Sequence, residues 1–537
     1  MEVPDFHTAR EMIEYGHIKA GDQKQYVYLE TRTKERTKTF NEVWYDTVGL
    51  GQYLYMHGLS GKKVAILSDN SYYWIVCFYS ILTGKYTAIP LDAKLMDDDI
   101  IEIMRRSHCD AIYYSDDFAG TVEKMKTAEG LCVTEYIKIS DFYKLIEEGH
   151  ADLKAGNPSY LDEPPLPDDI ATIVFTSGTT GKSKGVMLSH KNIMTSAVSS
   201  ARLIQGHHAI GFLPMNHTFA WASALFLVNV FGGWGYICRS LKDIPQDMKK
   251  YHPQNIAGVP LLIETIYKTV WRTAEKTGRA DKLRKGIKLS NFLRKFGIDV
   301  RRKLFKQVID GLGGELEYIV IGGAYLDPVY EKGLSDLGIE VFNGYGTTEC
   351  SPGITISTYE NYKFGSCGKP MGCEIKIKDP DEDGIGEICV KGDNVMVGYF
   401  EDPEATASVM DGDWFKTGDF GYIDEDGFLF YVGRKKNLIV LSNGKNVSPE
   451  ELEDQLTRLD YVKEVVVSEE DGFITGEFYL DEELCPDAKE KIKEDVKKYN
   501  ETLPTYKRIL KIKTRDTEFP KTTSLKIKRK YKDDVTV

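Results

Sequence analysis

The chain has 537 residues, 42% of them hydrophobic and 28% charged, with a net charge of −13. That length exceeds one ordinary core and predicts two or more domains, and the acidic balance argues against nucleic acid as a main partner. Nine cysteines lie scattered without a Cys-x-x-Cys pair, which argues against a zinc site or a disulfide framework and fits a cytoplasmic protein. The opening residues show no basic-then-apolar leader.

Along the first part of the chain, short apolar runs alternate with helical patterns. "KKVAILS", "KYTAIPL", "CDAIYYS" and "DIATIVFT" read as strands, and "SYYWIVCFYSILTG" as a buried helix. Continuous apolar strands separated by helices predict parallel sheets covered on both faces. Residues 156–169, "GNPSYLDEPPLPDD", read as a proline-rich acidic linker. Residues 209–238 contain no Asp, Glu, Lys or Arg, a length that could span a bilayer. Asn216, His217 and Asn229 lie inside that run and Gly232-Gly233 breaks it, so a buried helix, a glycine turn and a short strand are expected, with no transmembrane segment.

"NIAGVP", "LEYIVIGG" and "IEVFNGYG" are three further predicted strands, each ending where ligands of open α/β sheets sit. Between the first two, 268–306 is a basic helical region, read as solvated helix faces, with docking to a membrane or an acidic carrier protein as the sharper alternative. From about residue 375 strands and glycine turns take over, with Asp383-Gly384 and Asp426-Gly427 as hairpin signals. "VSPEELEDQLTRL" predicts a helix with Ser448 as N-cap, Pro449 in the first turn and Glu451 closing a capping box. The rest reads as a small α+β domain.

Residues 176–185, "TSGTTGKSKG", end like a nucleotide-binding P-loop. Thr176 stands where that loop needs its first glycine, and "GVMLS" after it reads as a strand, so the P-loop assignment fails. Backbone N–H groups of such a loop can still wrap phosphate oxygens; a plain surface hairpin is the alternative. "NGYGTTECSP" offers an aromatic for a purine face, threonines for phosphate and a carboxylate for Mg²⁺, although Tyr345 alone reads as core and Glu349 alone as a surface charge. "KTGDFGY" presents Asp419 in a turn between strands, where it could accept both ribose hydroxyls or simply stabilise the turn. "PKTTSLKIKRK" by itself is a basic tail.

Together, and in this order, these motifs resemble the acyl-adenylate-forming superfamily of acyl-CoA synthetases, peptide-synthetase adenylation domains and firefly luciferases, in its fatty acyl-CoA synthetase (long-chain fatty acid–CoA ligase) branch. The resemblance implies an α/β fold: a large N-terminal domain of interleaved sheet-and-helix subdomains plus a β-rich subdomain over 1–433, a hinge at 434–436, and a small mobile α+β C-terminal domain over 437–537. It implies that Thr176, Ser177, Gly178, Thr179, Thr180 and Lys184 hold the outer phosphates of ATP. Gly322, Gly323 and Ala324, with Asn343, Gly344 and Tyr345, would form the adenine site, and Gly346, Thr347 and Tyr431 would also bind the nucleotide. Thr348 would touch the α-phosphate, Glu349 would bind Mg²⁺, and Asp419 and Arg434 would hold the ribose. Lys436 falls at the family's hinge and Lys526 at its catalytic lysine. Leu525 replaces the glycine that usually precedes that lysine, which keeps Lys521 as a weaker candidate.

His217 joins the catalytic set, and Trp221, Val259 and Tyr325 would line the acyl pocket; a plain core tryptophan is the alternative for Trp221. "MNHTFAWASA" lacks an aspartate for an amino-acid ammonium. The implied reaction is ATP-dependent conversion of a medium- or long-chain fatty acid to acyl-AMP, then transfer to CoA. Loading of an acyl carrier protein is the alternative; a luciferase-like oxygenase and a non-catalytic nucleotide binder rank below it. A monomer or homodimer with peripheral membrane contact at most is expected.

Overall fold

The computed structural model describes residues 3–176, 183–206, 208–441 and 446–521, together with 527 and 529. The chain divides into two compact units. One is Met1–Ile375 with Val390–Phe415 and Glu425–Leu429; the other is Lys376–Cys389 with Lys416–Asp424 and Phe430–Val537.

In the first unit the predicted apolar runs become the parallel cores of two sheets. One has the spatial order Gly398–Tyr399, Lys184–Ser189, Ile170–Thr176, Thr87–Pro90, Lys63–Leu67, Ala111–Tyr114, Glu135–Lys138. Its last five strands are parallel and its first two pair antiparallel. The other sheet runs Lys369–Pro370, Gly353–Ile356, Glu340–Gly346, Tyr318–Ile321, Asn255–Gly258, His208–Gly211, Trp234–Ile237, Lys24–Leu29, Glu35–Thr39. Its six central strands are parallel, flanked at both edges by antiparallel pairs.

Parallel neighbours need crossover connections, and helices supply them. The helix Tyr72–Leu82 is one: Ser71 caps it by accepting from the Trp74 N–H, and ten of its eleven residues are buried. The stretch 156–169 is more than a linker. Tyr160 is buried in it, and a Cβ on Gly51 would fall 2.3 Å from the Tyr160 ring, so the glycine makes room for the aromatic.

The uncharged run resolves into the strand His208–Gly211, a helical segment from Thr218 to Phe231 whose turns widen to π-helical over Trp221–Phe226, a Gly232 cap at φ 69°, and the strand Trp234–Ile237. No helix among the described residues is long and apolar enough to cross a membrane.

The strands Gly386–Lys391, Trp414–Ile423 and Leu429–Arg434, most of whose residues lie in the second unit, belong to one sheet, and Val462–Glu470, Phe473–Leu480 and Lys511–Arg515 form another. The second sheet and the helices Pro449–Leu456 and Ala488–Thr502 share a separate core around Leu452, Val465, Phe478 and Ile492. Ser448 caps the first helix by accepting from the Glu451 N–H, as expected. The expected return bond from Glu451 is replaced, because Lys507 takes that carboxylate at 2.7 Å.

Candidate active site

Three parallel strands of the larger sheet run in register, Gly258 paired with Ile321 and Ile321 with Asn343; the first two end there, and the third continues to Gly346 against Gly353–Ile356. Val259 and residues 322–325 therefore leave the sheet beside the extended end of the third strand and residues 347–349 that follow it. A Cβ on Gly322 would lie a tight 3.3 Å from the Phe219 ring, which would have to shift; Gly323, at φ 85°, turns the exposed chain. Tyr325 is half-buried, as is His217, which begins the helix Thr218–Ala220. Trp221 is 1% exposed; its indole N–H donates to the Met215 carbonyl and its ring lies 4.9 Å from that of Phe78.

Asn343 is buried, and its amide is oriented by a neighbour. Its Nδ2 donates to Oε2 of Glu331 at 2.9 Å, and the Gly365 N–H donates to the same oxygen at 3.1 Å. Because Oε2 accepts from both N–H groups, the amide presents Nδ2 to Glu331 and leaves its Oδ1 to face elsewhere as an acceptor. Glu331 is fully buried in the helix Pro328–Ser335. Burial pushes its carboxyl up to about 7, opposed by the nearby Tyr362 hydroxyl and by the hydrogen bonds from the Gly365 N–H and Asn343.

A second cluster joins three distant segments. Thr176 pairs with Lys184 across the antiparallel strands that bracket residues 177–182. The adjoining edge strand pairs Tyr399 with Val186, and Lys184 Nζ lies 4.5 Å from the centre of the Tyr399 ring. The Tyr399 hydroxyl donates to Oε1 of Glu349 at 2.8 Å, and the Met396 N–H donates to the Glu349 carbonyl at 2.8 Å. Glu349 Oε2 accepts no hydrogen bond among the described residues. Burial, then the nearby Glu349 charge, raise the Tyr399 phenol well above its usual range.

In the second unit, Asp419 lies inside the strand Trp414–Ile423 and not in a turn as the sequence suggested. Gly418 at φ 71° looks like a turn glycine, yet the strand continues through it. Asp419 is 2% exposed; its Oδ1 lies 3.2 Å from Arg434 Nε, and its N–H donates to Thr417 Oγ1 at 3.1 Å. Tyr431 shares the strand Leu429–Arg434 with Arg434, and Lys436 is exposed just beyond. Lys521 is engaged by Glu464 at 2.5 Å and Glu518 at 2.8 Å. Ser177, Gly178, Thr179, Thr180 and Lys526 lie outside the described residues. Among the described residues near the C-terminus, Lys521 and Ile527 form a β-bridge, and the Arg529 guanidinium makes a two-pronged contact with Glu453.

Residues 18–400 match the family described as AMP-binding enzyme, and residues 436–533 match the AMP-binding enzyme C-terminal domain. The chain belongs to the AMP-binding enzyme family. Among the curated relatives of this AMP-binding enzyme, the long-chain-fatty-acid–CoA ligase 5 of Mus musculus is 29% identical over 80% of this chain and 68% of its own length. The long-chain-fatty-acid–CoA ligase FadD15 of Mycobacterium bovis is 28% identical over 79% of this chain and 74% of its own. The fold is shared with the Bacillus subtilis o-succinylbenzoate CoA synthetase in complex with its acyl-adenylate intermediate, at a TM-score of 0.75, 24% identity and 96% coverage of both chains.

Tyr399 and Glu331 were missed by sequence reasoning. Tyr399 belongs to no phosphate-type loop. Glu331 had one readable signal, a carboxylate on the same helix face as the buried Tyr330, Leu334 and Ser335. Beneath the 215–225 segment an apolar cavity of about 30 Å³ is lined by Tyr26, Ile75, Phe212, Met215, Ala220 and Leu225.

Proposed function

We propose that this AMP-binding enzyme activates a medium- or long-chain fatty acid with ATP and transfers the acyl group to CoA. The observation that carries the reading is the Asn343–Glu349 segment at the shared edge of three parallel strands, with Glu349 hydrogen-bonded to Tyr399. The choice of acid and of CoA is supported by the relatives named long-chain-fatty-acid–CoA ligases.

In the first step a carboxylate oxygen of the acid attacks the α-phosphorus of ATP and pyrophosphate leaves, giving acyl-AMP. Both reactants are anionic, so cationic groups must offset their repulsion. Lys184 and the 176–185 loop would hold the outer phosphates, and Thr348 the α-phosphate. The acceptor Oδ1 of Asn343 suits the exocyclic amine of adenine. Asp419 and Arg434 would hold the ribose. Glu349 suits Mg²⁺, which is ordinarily held by one or two carboxylates together with substrate phosphates. Bound there, Mg²⁺ would neutralise charge developing on phosphate oxygens.

Lys526 would bridge the attacking carboxylate and the α-phosphate. In the second step the CoA thiolate attacks the acyl carbonyl and AMP leaves. On this reading residues 1–433 and 437–537 are domains that turn about 434–436 between the steps, which the separate core of the C-terminal part supports. Nine free cysteines support a cytoplasmic location. A carrier-protein thiol is the alternative acceptor, and assays with CoA and with holo-carrier separate the two.

The test is pyrophosphate exchange into ATP across carboxylic acids of graded chain length. Exchange that needs Mg²⁺ and peaks with a medium or long chain is expected; none with any fatty acid would overturn the proposal.

A further inference from the structure

The helix Ala280–Arg294 carries a face that the proposed reaction does not use. One side is anchored. Leu283 and Ile287 pack against the core of the larger sheet, a Cβ on Gly286 would meet the Phe305 ring at 3.1 Å, and Asn291 donates to Asp336 at 3.0 Å. The opposite side follows the helical repeat through Lys285, Leu289 and Phe292, and the chain continues into Phe296 and Ile298. Leu289, Phe292, Phe296 and Ile298 are 53%, 56%, 67% and 51% exposed. Phe292 and Phe296 pack edge to face with ring centres 5.2 Å apart, which gathers them into one knob.

Residues 280–306 hold ten lysines and arginines against two aspartates, in a chain whose net charge is −13. Lys282, Lys285, Lys288 and Lys295 make no ion pair among the described residues. Elsewhere the molecule commonly pairs its cations, as Lys124 with Asp97 and Lys507 with Glu451. Hydrated lysines need no partner, but exposed phenylalanines gathered beside them make an apolar knob within a cationic surface.

We infer that the 285–298 face docks on an anionic lipid bilayer. Phe292, Phe296 and Leu289 enter the boundary between headgroups and acyl chains, and Lys285, Lys288 and Lys295 meet the lipid phosphates around them. The charge complementarity commits the occupant. Lysines alone would suit any acidic partner, whereas a projecting aromatic pair ringed by unpaired lysines matches a surface that is anionic outside and apolar beneath. The inference is independent of which acid is activated, and it assigns the membrane contact to one helix face.

The experiment is co-sedimentation of the intact protein with vesicles of phosphatidylcholine alone and of an equimolar mixture with phosphatidylglycerol. Binding to the mixed vesicles is expected to exceed binding to neutral ones by about tenfold or more, and to weaken steeply toward about 0.5 M salt. The pairs Phe292→Ser/Phe296→Ser and Lys285→Glu/Lys288→Glu should each lower vesicle binding by about tenfold while keeping the wild-type melting temperature. Equal binding to both vesicle types overturns the inference, as does binding unchanged in both variants. Capture of an acidic holo-carrier protein that these substitutions abolish, without vesicle binding, assigns the face to a protein instead.

Discussion

Tyr399 donates its phenol hydrogen to Oε1 of Glu349 at 2.8 Å, across 50 residues of sequence. The bond fixes one carboxylate oxygen, and the second is the one the proposed Mg²⁺ would meet. Tyr399→Phe keeps the ring beneath Lys184 and removes only the hydroxyl. It should lower the rate of acyl-AMP formation about 10- to 100-fold and raise the Mg²⁺ concentration needed for half-maximal rate, the usual cost of losing an outer hydrogen bond to a metal ligand. A Mg²⁺ titration of pyrophosphate exchange measures this; an unmoved midpoint would return Tyr399 to a packing role.

Glu331 should make stability depend on pH. Its carboxyl titrates at about 7 in the folded chain against a usual 4.5, because burial disfavours the charge. The folded state therefore holds more protons between those values, and stability falls as pH rises through the window. Glu331→Gln removes the group while keeping an acceptor for Asn343. The stability of the variant relative to wild type should rise by up to about 3 kcal/mol between pH about 4.5 and about 7 and stay level above. Urea melts at several pH values would show it, and a pH-independent difference would rule it out.

Arg529 and Glu453 pin the chain three residues beyond Lys526. The guanidinium contacts both Glu453 oxygens, and burial raises the Glu453 carboxyl against that attraction. Arg529→Ala strands a buried carboxylate and should cost about 3 kcal/mol, whereas Arg529→Ala with Glu453→Gln should cost less. By contrast, Lys526→Ala should leave stability alone, cut adenylation by orders of magnitude and spare thiolation of supplied acyl-AMP. Equal loss in both half-reactions would remove Lys526 from its role.

Trp221 separates a gate from a core residue. Its burial predicts a loss of about 3–5 kcal/mol for Trp221→Ala on packing grounds alone. A gating role requires, in addition, that the relative rates for short and long acids change. Thermal melting and a chain-length profile on one preparation distinguish the two, and an unchanged profile assigns Trp221 to packing.

Much of the candidate site was legible because its motifs are written in local patterns. Apolar runs ending in glycine turns gave the strands Tyr318–Ile321 and Glu340–Gly346, and hydroxyl-rich loops next to strands marked Thr176, Lys184, Thr348 and Glu349. Backbone periodicity and turn chemistry act over a few residues, so they can be read in order along the chain. Asp419 shows the limit: a Gly-Asp pair resembles a turn, but pairing with neighbouring strands kept the segment extended.

The sequence by itself determined the alternation of strands and helices, the glycine- and hydroxyl-rich loops, the basic character of 268–306 and the family resemblance. Only the tertiary structure decided that Tyr399 meets Glu349, that Glu331 orients Asn343, and that Phe292 and Phe296 face outward while Leu283 and Ile287 face the core. Those outcomes depend on which elements pack together. Strand register and helix rotation, set by burial of distant apolar faces, bring such side chains together or keep them apart, and no short window of sequence contains both partners.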